Sequence, residues 1–156
     1  MINLKKFENF NEDNDNNIYN YDHKELEYYK QVYSRYWDDR LEEDFKKILS
    51  GHPIKITQYE DRNDVSENIV LPLKNRDGLL YYKAYVTPKE IQKNPTKYDF
   101  VSPIFRNRDT LDWVVVKVQE VENLDNNALG GLSVSLKNGG GTSLAYLFLV
   151  KYNTGI

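Results

Sequence analysis

No cysteine occurs in the 156 residues, and that absence removes disulfides, thiolate zinc sites, iron–sulfur clusters and thiol nucleophiles together. Any chemistry must rest on oxygen and nitrogen groups. A chain of this length can bury a real core without such staples. Histidine is scarce as well, with His23 and His52 the full set. No stretch approaches the roughly 18 apolar residues of a membrane span. The opening residues also lack the apolar core of a signal peptide, so the protein is expected to stay where it is made. A dominant charge is missing too: 24 acidic against 21 basic side chains give a net −3. That balance weighs against a general polyanion binder, which carries a basic face. Residues 1–60 hold 13 acidic and 9 basic side chains (−4) and residues 61–156 hold 11 and 12 (+1), a split too small to define a partner. Alanine occurs only at Ala84, Ala128 and Ala145, while there are 13 tyrosines and many Asn and Lys residues. AT-rich codons produce that bias, so the tyrosine excess is partly mutational in origin.

What is present reads as a flexible arm followed by one α+β domain. Residues 11–20 are nearly all polar, with too little apolar surface to offset the entropy of ordering them. Ahead of them Ile2, Leu4, Phe7 and Phe10 put apolar side chains on a short segment, so residues 1–20 read as an acidic arm that orders only on docking. A ten-residue spacer of this kind spans roughly 17 Å on average. Asp22 and Glu25 stand where a capping box would start a helix. From Leu26 through Tyr29, Tyr33, Tyr36/Trp37, Leu41 and Phe45 to Ile48/Leu49, apolar residues recur at helical steps. Gly51 and Pro53 close the pattern, which predicts one helix over 23–50.

The remainder reads mainly as strands. Residues 54–59, 69–73, 79–86, 112–121, 132–136 and 142–152 have strand composition. Asp77-Gly78 marks a hairpin turn, and Lys137 to Gly141 mark another. Thr87-Pro88-Lys89-Glu90 predicts a short capped helix over 88–94 that ends at Pro95. The extended run 98–105 contains Pro103 and reads as an edge or irregular strand. The expected fold over residues 21–156 is therefore a single α+β domain. In it, one long amphipathic helix packs on a mainly antiparallel sheet or small open β-barrel of about six strands.

Constellations for chemistry are scarce. On one continuous helix His23 and His52 would lie roughly 40 Å apart and could not share a metal. Asp13 to Asn17 alternate like the opening of a calcium loop, but Ile18 stands where glycine is required and Lys24 where a bidentate glutamate is required. Gly139-Gly140-Gly141-Thr142 lacks the lysine and the following helix of a phosphate loop. Asp38, Asp39, Glu42, Glu43 and Asp44 could form an acid–base or metal pair. Their neighbours Arg35, Arg40, Lys46 and Lys47 make a solvated, ion-paired face the simpler reading. No cofactor, metal or catalytic residue is implied. Two surfaces remain. Lys89, Lys93, Lys97, Arg106 and Arg108, with Tyr98 and Phe105, could form a basic-aromatic patch for nucleic acid, diluted by Asp99 and Asp109. Tyr28 and Val32 fall beside the buried stripe and, with the apolar residues of the arm, could contact a protein partner or a second copy.

The opening run Met1-Ile2-Asn3-Leu4-Lys5-Lys6-Phe7-Glu8-Asn9-Phe10-Asn11-Glu12 resembles the start of small proteins encoded by large tailed bacteriophages, including crAss-like phages of gut Bacteroidetes. Those starts share a Leu-Lys-x-Phe-x-x-Phe-Asn-Glu flavour, and the match spans these twelve residues. The resemblance implies a phage gene product, either a virion component or a protein of the infected host's cytoplasm. The expected function is that of a non-enzymatic interaction or virion-associated structural protein. A small-barrel nucleic-acid binder and an enzyme of unrecognised type are the rivals.

Overall fold

The computed structural model describes residues 19–58, 63–83, 86–123 and 132–152. Ile2, Leu4, Phe7 and Phe10 of the expected arm, and the Asp13 to Asn17 run, lie outside the described residues. The chain divides into two compact units, Met1–His52 and Pro53–Ile156.

In the first unit, Asp22 starts helix α1 (His23–Val32) by accepting the Lys24 N–H at 2.8 Å. The single helix expected over 23–50 does not form. Residues 33–36 leave α-helical geometry in a tight turn, where the Tyr36 N–H donates to the Tyr33 carbonyl at 2.9 Å. Asp38, in extended backbone, then starts α2 (Asp39–Leu49) by accepting the Leu41 N–H at 2.7 Å. The physical reason is local competition. Ser34 and Asp38 have short polar side chains that favour turns and caps over helix interiors. The apolar spacing runs through the break regardless, because Trp37 serves either arrangement.

The two short helices bring their aromatic residues together. Tyr29 stacks on Phe45 at 4.9 Å and 20°, Trp37 on Phe45 at 5.4 Å and 22°, and Tyr33 lies 5.9 Å from the same ring. Leu26, Tyr33, Leu41, Phe45 and Ile48 are buried as the stripe requires, but Tyr36 is turned outward by the break and exposed. The exit of α2 follows the expected grammar. Gly51 takes a left-handed φ of 82°, its N–H donates to the Ile48 carbonyl at 3.1 Å, and the His52 N–H donates to the Lys47 carbonyl at 2.8 Å. This is the paired closure of a Schellman motif. The 40 Å separation of the histidines is also corrected. The His52 ring packs on Tyr19 and the His23 ring on Tyr21, two residues along the chain.

The second unit is built on an eight-stranded sheet in the order β6-β1-β2-β10-β5-β7-β8-β9, with a separate two-stranded sheet β3-β4. Its strands are β1 (Ile54–Thr57), β2 (Val65–Leu71), β3 (Leu73–Arg76), β4 (Leu79–Tyr82), β5 (Asp99–Val101), β6 (Trp113–Val114), β7 (Val116–Asn123), β8 (Leu132–Leu136), β9 (Gly141–Ser143) and β10 (Phe148–Lys151). Among the described residues only β1 and β6 pair in parallel. The protein is thus α+β with a mostly antiparallel sheet, as the composition of the strands implied.

A row of directly opposed residues crosses four strands: Leu71 faces Leu149, Leu149 faces Phe100, and Phe100 faces Val116. Val118, Val121, Val134 and Leu136 extend the same core along β7 and β8. Val118 and Val121 are three residues apart, yet both are buried in this core. A register shift between Val118 and Glu120 explains it, because one extra residue in a bulge restores the inward face. Ile54, Ile56, Val70, Val101, Trp113, Phe148 and Val150 are also buried, and the alternation of side chains along β2, β5 and β10 puts Val70, Val101, Phe148 and Val150 on the opposite face.

Several boundaries differ from the sequence expectation. Lys74 to Arg76, expected to link the two strands, are themselves strand: Asp77 and Gly78 alone make the hairpin, with φ of 55° and 86°. Two successive positive φ values fit the twist of a tight hairpin. Pro72 separates this hairpin from β2, since it brings no N–H to a ladder. β5 is an interior strand between β10 and β7, not an edge. It can be interior because it ends at Val101, before Pro103. The run 112–121 breaks at Val115, whose N–H donates to the Thr57 carbonyl at 2.9 Å. The run 142–152 is two strands separated by a 3-10 turn at Leu144–Tyr146, with the Ser143 hydroxyl accepting the Ala145 N–H at 3.2 Å. Helix α3 (Pro88–Lys93) carries the full capping box of Thr87 and Glu90.

Candidate functional site

Within the acidic cluster of α2, Asp44 and Glu42 are taken up by pairing. Arg40 Nε lies 3.2 Å from Asp44 Oδ2, and Glu42 lies 3.6 Å from Lys30 Nζ and 3.7 Å from Lys46 Nζ. The Trp37 indole N–H also donates to Glu42 at 3.1 Å. That bond, with the two lysine charges, holds the Glu42 carboxyl below the usual carboxylate range. Among the described residues no group of three or more His, Asp or Glu side chains could hold a metal ion. Gly139 and Gly140 lie in the hairpin tip between β8 and β9, with Gly139 at a φ of 98°, and Gly141 begins β9.

The five basic residues singled out from the sequence are not all brought to one place. Lys89 and Lys93 are exposed on α3, and Lys97 lies in the 3-10 turn Pro95–Lys97, its ammonium 5.7 Å from the Tyr98 ring centroid. Arg106 and Arg108 do come together, in a cleft of about 370 Å³ whose lining includes Phe105, Val114, Val116 and Asn138. Sequence reasoning missed Asn138, because a turn asparagine beside glycines carries no sign of what it faces across the fold.

The aromatic surface of α1 has a different character. Tyr28 is 61% exposed and Val32, one turn later, 41% exposed; Tyr36 just beyond the helix is 45% exposed. The helical spacing places Tyr36 on the buried stripe, and the break at residues 33–36 turns it to the surface instead. The Tyr28 ring stands edge-on to Tyr29 at 5.2 Å and 73°, and Tyr29 in turn stacks on Phe45. An exposed aromatic ring is therefore held against a half-buried one that stacks on the buried Phe45. Exposed apolar residues elsewhere, such as Leu79 and Val65, lie on other elements.

Burial, reinforced by the charge of Glu25, pushes the Tyr29 hydroxyl well above the ordinary tyrosine range. Burial and then a hydrogen bond to Asp99 push Tyr152 up to about 12. Asp99 is thereby held between the Tyr152 hydroxyl and the Lys117 ammonium. Both tyrosines are acids whose folded-state pKa lies above the unfolded value. Their contribution is complete below pH 10 and declines as pH rises above it, for Tyr152 through about 12. The denaturant midpoint is expected to fall between pH 9 and pH 11.5, and Tyr29→Phe, which keeps the ring stack, to flatten that fall. An equal decline in the wild type and the variant would remove Tyr29 as its source. Compared with known proteins, the chain matches no family model, no curated protein and no solved structure.

Proposed function

We propose that the chain is a non-enzymatic protein-interaction module, of the kind its phage-like opening residues suggest, that docks on a protein partner through α1. The observation that carries this reading is the exposed Tyr28–Val32 face backed by the Tyr29–Phe45 stack. Tyrosine supplies a large contact area with few rotatable bonds, and a ring already held by its neighbours loses little further entropy on binding. Residues 1–20, with Ile2, Leu4, Phe7 and Phe10, form the second contact. Four apolar side chains on an arm bind modestly alone but add avidity once the helix face is engaged.

A photo-crosslinking amino acid at position 28 tests the helix face, with the same group at position 79 as a control for an exposed apolar site on another element. In native lysate, position 28 is expected to give one dominant protein adduct that is absent from position 79. Val32→Asp should remove that adduct while leaving the melting temperature nearly unchanged. Identical adducts from both positions, or adducts insensitive to Val32→Asp, would dismiss the reading. An adduct formed by the purified chain alone would make the partner a second copy. Deleting residues 1–20 is expected to leave thermal stability nearly unchanged while reducing capture about tenfold or more. Unaltered capture would assign the arm no part in docking.

A further inference from the structure

The cleft around Arg106 and Arg108 belongs to the second unit and has its own chemistry. Phe105, Val114 and Val116 give it an apolar wall, and Arg106, Arg108 and Asn138 give it polar groups. The segment that supplies the arginines is fixed by its own backbone. The Val114 N–H donates to the Phe105 carbonyl at 3.1 Å, the Asn107 N–H to the Asp112 carbonyl at 2.8 Å, and the Leu111 N–H to the Asn107 carbonyl at 2.9 Å. Leu111 takes a left-handed φ of 64° to close this loop.

The two asparagines of the lining have their acceptor oxygens engaged. Asn107 Oδ1 accepts the N–H groups of Asp109 at 2.8 Å and Thr110 at 3.0 Å. Asn138 Oδ1 accepts the Gly140 N–H at 3.1 Å. Backbone N–H groups require an oxygen, so these bonds fix the amide orientation and leave each NH₂ as the remaining polar end. The two guanidinium groups carry donors only, so the described lining is richer in N–H donors than in acceptors. Among the described lining residues Asp109 is the one carboxylate, and their formal charge is +1. A donor-rich, cationic cleft is complementary to an anion made of acceptor oxygens, and paired arginines suit the forked geometry of a phosphate. The Phe105 ring and the two valines suit a flat or apolar body attached to it. A volume of about 370 Å³ is at the small end of ligand pockets, which start at roughly 300 Å³.

We propose that this cleft binds a nucleotide, with the phosphate on Arg106 and Arg108 and the base against Phe105. The same chemistry is offered by a free nucleoside monophosphate and by one nucleotide of a single strand. The test therefore titrates the full chain by calorimetry with AMP, adenosine, inorganic phosphate and a twelve-residue oligothymidylate, at two salt concentrations. AMP is expected to bind more tightly than adenosine or phosphate alone. Arg108→Ala, an exposed position, should weaken AMP by about tenfold or more without changing the melting temperature. Asp109→Asn should tighten AMP several-fold by removing the opposing charge. Oligothymidylate binding that AMP displaces, and that weakens with salt, would identify the strand as the source of the nucleotide. AMP binding without oligonucleotide binding would identify the free nucleotide. Absence of AMP and oligonucleotide binding at millimolar concentration, or an Arg108→Ala variant that binds both as the wild type does, would overturn the proposal.

Discussion

Replacing Phe45 with alanine is expected to destabilise the protein by about 3–5 kcal/mol, among the larger losses a single substitution can produce. The ring is fully buried and contacts Tyr29, Tyr33 and Trp37. Its removal opens a cavity lined by rigid aromatic groups that cannot collapse to fill it. Phe45→Leu separates the two contributions. It keeps most of the apolar volume but loses the ring pairs, each worth about 0.5–1.5 kcal/mol beyond area burial, and should therefore lie between alanine and wild type. Leu41→Ala, also at a fully buried position, should cost about 2–5 kcal/mol. Urea midpoints at constant slope provide the measurement. A Phe45→Ala loss under about half a kcal/mol would put the helical stripe on the surface and dismantle the aromatic hairpin.

Phe100→Ala should cost about 3–5 kcal/mol in the second unit, for a reason that depends on topology. Phe100 is fully buried, opposes Leu149 on one side and Val116 on the other, and lies 6.1 Å from the Tyr82 ring. Tyr82 is itself fixed, because its hydroxyl donates to the Leu147 carbonyl at 2.9 Å. Truncation at residue 100 thus leaves a hole between two paired strands and a ring that cannot move to fill it. Had β5 been an edge strand, a half-exposed phenylalanine would cost roughly 1 kcal/mol, within the ordinary range of single substitutions. The measured loss therefore reports whether β5 is interior. A value near 1 kcal/mol would restore the edge position that Pro103 suggests.

Much of the local structure was legible because its causes are local. Asp22, the Thr87-Pro88-Glu90 cap, Gly51 and Asp77-Gly78 satisfy or release backbone groups within a few residues of themselves, and each does in the structure what its residue type allows. Leu132 to Leu136 alternates and is strand to the residue. The break in the first helix was less legible. The same apolar spacing fits one helix or two, and only the capture of the Leu41 N–H by Asp38 distinguishes them. Position in the sheet was not legible at all. Strand composition says that residues 99–101 are extended, but whether they lie at an edge depends on which distant segments pair with them, here β10 and β7.

The surfaces divide in the same way. The sequence by itself determined the chemistry available to this protein: no thiols, two histidines, a near-balanced charge, and tyrosines, arginines and lysines as the groups able to bind. It also determined that Tyr28 and Val32 fall beside the helical stripe, since that follows from the helical repeat alone. Only the tertiary structure decided which of the candidate groups meet. It joined Arg106 and Arg108 to Asn138 in one cleft, left Lys89, Lys93 and Lys97 out of that lining, and turned Tyr36 outward. The physical reason is range. Caps, turns and periodic stripes are set by interactions a few residues apart, whereas a cleft is set by the pairing of strands far apart in the chain, which the spacing of residues does not encode.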